Sequence, residues 1–196
     1  MNFILKKKFY LCILLSNNNF KMIINERESR RSHLLNAVKQ MMTAARTAPK
    51  AKGNDVIEIA MVEGDDIRVL SEKTCAMGEK NGMKFFLRDA LCIQSADAVV
   101  LIGTYFKNQQ LNCGHCGFPL CSAKPDMTPC TFNAIDVGIA IGSACATAAD
   151  LRLDTRVMFS VGLAAQELNW LNGCKCVFAI PVSASTKNPF FDRVTQ

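Results

Sequence analysis

Four cysteines fall within one short stretch of this chain. Residues 113–130 read C-G-H-C-G-F-P-L-C-S-A-K-P-D-M-T-P-C, so Cys113, Cys116, Cys121 and Cys130 are spaced C-x2-C-x4-C-x8-C. Glycine follows Cys113 and Cys116, and proline stands at 119, 125 and 129. Proline has no amide hydrogen and glycine resists being fixed, so helix and strand are both disfavoured and the backbone can wrap around a bound group. Four thiolates converging on one point are what a cubane iron–sulfur cluster, 4Fe-4S, requires. The x2 spacing turns two sulfurs to the same side. Small residues let backbone N–H groups approach the sulfides, which tunes the potential.

Two other chemistries use the same residue types. Zinc also takes four cysteines, usually as two C-x-x-C knuckles, but here one knuckle is joined by two single cysteines. Disulfides or free thiols are the third reading. Ten Cys in 196 residues is below the density of a disulfide scaffold, and a chain of this length buries a core without staples. The cluster reading is preferred, with zinc and thiols as the alternatives. His115, between two ligand candidates, is read as a loop residue or a hydrogen-bond donor beside the ligands. Cys75, Cys92 and Cys145 stand in helical patterns among aliphatic residues, as small hydrophobes do. Cys174 and Cys176 form a C-x-C at the start of a late strand, where a core or loop role is preferred to a redox pair. With only His33 and His115, and with no Ser/His/Asp set or paired carboxylates, hydrolysis has little support.

The elements that must position this loop follow from periodicity. Asn25 with Glu28 three residues on opens a helix carrying Leu34, Leu35, Val38, Met41, Met42 and Ala45 at helical spacing. Pro49 and Gly53 end it. Residues 56–62 read as a strand, 66–79 and 83–95 as two helices parted by Gly82. Residues 98–103 (A-V-V-L-I-G) form a continuous apolar strand, expected to be central and covered on both faces. The cysteine loop follows at once. Residues 132–151 and 159–171 read as helices, and 177–182 as the last strand. Gly138, Gly142, Ala146 and Ala149 suggest a helix packed closely against another helix or a partner subunit. Asp136 and Asp150 bound that segment too tightly for a membrane span. The order predicts an α/β (α+β) fold, a mixed sheet covered by helices.

The apolar fraction of 49% and charged fraction of 20% are those of a globular chain. The net charge of +6 falls to +2 once Lys6, Lys7, Lys8 and Lys21 are set aside, because residues 1–21 hold no acid. No basic stripe with interleaved aromatics remains, which argues against nucleic acid. Residues 1–21, including Cys12, are expected to be a non-native or disordered leader ahead of a natural start at Met22. A signal peptide or membrane anchor is the alternative, weakened by the short apolar run and the missing A-x-A site. Residues 22–196 are expected to form a single domain. An exposed cluster would survive best in a reducing cytoplasm.

The stretches E-R-E-S-R-R-S-H at 26–33 and A-A-R-T-A-P-K-A-K-G-N-D at 44–55, followed by a strand, resemble the opening of flavin-dependent nitroreductases. D-V-G-I-A-I-G-S-A-C-A-T-A-A-D-L-R-L-D at 136–154 and the proline-containing last strand are similar too. With the inserted cysteine loop, 22–193 resembles the DUF2148 family of ferredoxin domain-containing proteins. The nitroreductase resemblance implies a homodimer, or a higher even-numbered oligomer, holding FMN at the subunit interface. It implies that Arg30, Arg31 and Ser32 hold the FMN phosphate, that Asn54 contacts the ring, and that Arg193 reaches the phosphate, a role suited to guanidinium forks. The chain departs from the nitroreductase A-P-S at Ala48-Pro49-Lys50. The resulting expectation is a cytoplasmic iron–sulfur electron-transfer protein with an unidentified redox partner, and an FMN-dependent oxidoreductase where flavin also binds. The alternative is a non-enzymatic regulatory or interaction module, either an iron–sulfur sensor or a structural zinc domain.

Overall fold

The structure is a computed structural model that describes residues 23–191. The expected leader, Met22 and Arg193 lie outside the described residues. By its contacts the chain divides into two units between Arg31 and Ser32. Of the first, residues 23–31 are described, and they are the opening of helix α1 (Glu26–Thr47). Asn25 starts that helix as the sequence predicts: its Oδ1 accepts the Arg27 N–H at 3.0 Å.

In the second unit the chain runs through β1 (Ile57–Val62), α2 (Asp65–Asn81), α3 (Lys84–Ile93) and β2 (Ala98–Thr104). After the cysteine loop come α4 (Thr131–Asp150), β3 (Asp154–Thr155), α5 (Phe159–Glu167) and β4 (Cys176–Ser183). The strands make one sheet in the order β1-β2-β4-β3. All three pairings are antiparallel, and helices cover the sheet as the α/β reading predicts.

β2 is buried along its whole length, as its apolar run predicts. Side chains alternate across a strand, and β2 divides its residues accordingly. Val99 and Leu101 meet Leu70, Met77, Phe86, Ile93, Val161 and Ala164 of α2, α3 and α5. Ala98, Val100 and Ile102 meet Leu34, Val38, Met41 and Ala45 of α1 and Val137, Ala140 and Ala144 of α4. Each full burial of such a side chain contributes about 1.5–3 kcal/mol, so the two cores hold the sheet between two helical layers. α5 reaches β4 so closely that a Cβ on Gly162 would lie 2.0 Å from the Val177 carbonyl oxygen.

Three details depart from expectation. β3 is only two residues long, paired with Ser183 and Val182, and no periodicity can announce so short a strand. α5 ends at Glu167 rather than 171, because Asn169 turns left-handed at φ 56°. On α4 the buried face is Asn133, Asp136, Val137, Ala140, Ala144 and Ala148. Gly138, Gly142, Ala146 and Ala149 are instead exposed, and a Cβ at Gly138 or Gly142 would meet nothing within 4 Å. The small-residue stripe therefore does not pack on another described helix of this chain. α4 is long and apolar enough by composition to cross a membrane, but its other face lies in the core.

Candidate functional site

The Tyr105 N–H still donates to the Val56 carbonyl at 3.2 Å, and after that residues 106–130 hold no regular structure beyond a single 3-10 turn, Cys121–Ala123. Side chains replace the ladder. Asn108 Nδ2 donates to the Cys121 carbonyl at 2.7 Å. Asn112 Oδ1 accepts the Cys121 N–H at 2.8 Å, and its own backbone N–H donates to Cys121 Sγ at 3.2 Å. The buried Lys124 ammonium donates to the carbonyls of Pro125 and Thr128. Within C-G-H-C-G, the Gly117 N–H meets the Gly114 carbonyl at 2.9 Å, and both glycines take positive φ, 72° and 86°. That turn needs residues without a Cβ. Cys130 is the residue immediately preceding the first turn of α4.

The four cysteines come together. Cys113, Cys116, Cys121 and Cys130 all line one small hollow. Cys130 is buried, Cys116 and Cys121 are half-buried, and Cys113 is exposed. Among the described residues no three Cys, His, Asp or Glu side chains are already drawn onto a single metal position. The surroundings suit a negatively charged sulfur-rich group. Lys124 supplies a buried cation to the wall, Phe118 and Phe132 supply apolar surface, and Gln109 lines the hollow with a buried Nε2 that has no acceptor among the described residues. His115 is not in the wall. Its ring lies against Phe132, 6.0 Å between centroids, as the loop-residue reading expects.

Cys145, Cys174 and Cys176 lie outside the hollow and are held as neutral thiols. Burial first, and then the Glu58 charge, push the Cys174 thiol up to about 11. Burial likewise raises Cys176 and Cys145. Such thiols are neutral at pH 7 and poor nucleophiles, which agrees with a core role for the C-x-C pair.

The flavin candidates are separate pieces. In the first unit, Arg30 is exposed and its fork grips Glu26 at 2.6 and 2.7 Å. Arg31 and Ser32 are exposed on α1. Asn54 donates from Nδ2 to Gln109 Oε1 at 3.0 Å. The departure at Lys50 has a structural reason. Its ammonium donates to the carbonyls of Ala45, Arg46 and Ala48, closing the end of α1. Desolvation lowers its pKa, while Asp55 and Asp136 pull the other way. Asp136 Oδ1 in turn accepts the Ala51 N–H at 3.0 Å.

Reading the sequence missed Asn108, Gln109, Asn112 and Lys124. A signal was present in K-N-Q-Q-L-N at 107–112, a cluster of side-chain amides directly before the first cysteine.

Comparison with known proteins places these features. A family model described as "Uncharacterized protein containing a ferredoxin domain (DUF2148)" matches residues 127–193, which includes Cys130. An uncharacterized protein of Archaeoglobus fulgidus is 38% identical over 185 residues, covering 89% of this chain and all of that one. Nitroreductase CinD from Lactococcus lactis, solved in complex with nicotinic acid, superimposes with a TM-score of 0.54 at 15% identity, over 89% of this chain and 91% of that one. A nitroreductase with bound FMN from Bacteroides fragilis gives 0.56 at 12% identity, over 82% and 87%. The hypothetical oxidoreductase YcnD from Bacillus subtilis gives 0.51 at 20% identity, and the chain covers 58% of its length. The likeness to these three is one of fold, and the fold is nitroreductase-like.

Proposed function

The chain belongs to the DUF2148 family of ferredoxin domain-containing proteins, and from that premise we propose that it is an iron–sulfur electron-transfer protein. The observation that carries this reading is the gathering of Cys113, Cys116, Cys121 and Cys130 around one hollow. These four thiolates would hold a 4Fe-4S cluster, which supplies one-electron transfer when bound. Lys124, in the wall of the hollow, would offset part of the negative charge of a cluster held there. Phe118 and Phe132 keep water from one side of the hollow. The Asn112 backbone N–H fixes Cys121 Sγ before any metal arrives.

FMN is the second cofactor of this proposal, supported by the nitroreductase-like fold. Arg30, Arg31, Ser32 and Arg193 would hold its phosphate and Asn54 its ring. A phosphate reaching Arg30 has to compete with Glu26. Bound FMN would link two-electron chemistry to single-electron steps, which makes the protein an oxidoreductase acting with a separate redox partner. The exposed face of α4, with Ile135 and Ile139 beside Gly138 and Gly142, supports a homodimer or a larger even-numbered assembly. A reducing cytoplasm suits four unoxidised thiols.

Protein purified without oxygen is expected to show a broad band near ~400 nm that bleaches on reduction and returns on oxidation. Serine at any one of the four cysteines is expected to degrade that band. Protein without the band, however prepared, overturns the reading. Flavin is tested independently: Arg31→Ala is expected to weaken FMN retention with iron content unchanged.

A further inference from the structure

Gln109 is 2% exposed and stands between two parts of the second unit. Its Oε1 accepts the Asn54 amide at 3.0 Å, and its backbone carbonyl accepts the Lys52 ammonium at 3.3 Å. It also lines the cysteine hollow. Donation from Asn54 fixes which way the Gln109 amide faces and turns the N–H pair away from the 51–54 turn. That Nε2 group is buried and has no acceptor among the described residues. Leaving a buried donor unmet costs about 1–3 kcal/mol, so native chains rarely do so.

The acceptors that a loaded hollow would offer are thiolate and sulfide sulfurs. We propose that Gln109 Nε2 donates a hydrogen bond to a sulfur of the bound cluster, and that Asn54, by holding Oε1, sets this donor's aim. The proposal rests on the cluster reading above. Gln109 is then a positioning residue for the potential rather than a ligand. A donor to sulfur stabilises the reduced, more negative state and raises the reduction potential. The same loop already has one such bond, from the Asn112 backbone to Cys121 Sγ at 3.2 Å.

The test is a potentiometric titration of the full chain, purified without oxygen, with iron counted beforehand. Gln109→Met keeps the length and loses the donor. It is expected to load iron as the wild type does and to lower the reduced-to-oxidised ratio at fixed applied potential about tenfold, as loss of one charge-assisted hydrogen bond would. That is ~59 mV toward negative potential for one electron. Asn54→Ala is expected to shift it in the same direction by less, and Gln110→Met, at the exposed neighbour, not at all. Gln109→Leu, apolar and shorter, is read in the same way if the methionine variant misfolds. Iron-replete Gln109 variants that melt earlier but keep the wild-type potential make the residue merely structural and overturn this inference alone. Wild-type protein that takes up no cluster overturns the cluster reading and this inference with it.

Discussion

The chain changes character at Thr104. Before it, β2 is buried at every position and hydrogen-bonded on both edges, to β1 and to β4. After it, residues 106–130 form no ladder, and Asn108, Asn112 and Lys124 hold the backbone by reaching it with side chains. The two regions are stabilised by different physics. The strand is fixed by apolar burial on both faces and needs nothing bound. The loop has a few polar staples around a hollow lined by thiols, and those staples leave Cys113 exposed and the Gln109 Nε2 without an acceptor among the described residues. A fold built this way is expected to survive loss of the bound group, while the loop depends on it.

The largest effect expected belongs to the strand. Leu101→Ala removes a fully buried side chain from the core shared with α2, α3 and α5, and urea unfolding is expected to give a loss of about 2–5 kcal/mol. Iron per folded chain should not change. A variant that lost iron in proportion to its stability would erase the separation between the two regions. A smaller effect is expected in the loop. Asn112→Ala removes the 2.8 Å bond to the Cys121 N–H, worth about 1 kcal/mol, so iron release to a chelator should speed up about fivefold while the urea midpoint of metal-free protein stays put. A midpoint that moved as far as that of Leu101→Ala would show the loop to be part of the core. The smallest effect concerns alkaline pH. Cys174 has a raised folded-state pKa, so its contribution to stability is complete below the unfolded value and disappears as pH climbs toward about 11. Melting temperature against pH should therefore fall on that limb, and Cys174→Ala should flatten the fall. An unchanged slope would mean that Cys174 is not the buried thiol responsible.

How much was legible in the sequence divides along the same line. The apolar run at 98–103 announced a central strand because burial on both faces leaves no room for polar residues. Asn25 announced a helix start because its side chain can meet an orphan N–H. The four cysteines were legible by spacing alone. Their supports were not: Asn108, Asn112 and Lys124 suit any loop, and only the folded chain reveals that their side chains reach backbone atoms up to thirteen residues away. Gln109 looks like a surface residue until the 51–54 turn covers it. Lys50 looks like a lost flavin contact until its ammonium is seen on three carbonyls of α1 and its exit. The small residues of α4 were legible as a stripe, but which side of the helix they occupy depends on where the buried face with Val137, Ala140 and Ala144 lands.

The most direct measurement is a count of iron, acid-labile sulfide and zinc per chain in protein purified without oxygen, set beside the same counts for Cys113→Ser, Cys116→Ser, Cys121→Ser and Cys130→Ser. The account predicts about four iron and about four sulfide per chain in the wild type, as a cubane cluster requires, with each serine variant depleted and zinc absent. Colourless protein holding one zinc per chain, or serine variants that keep the full iron load, would contradict it.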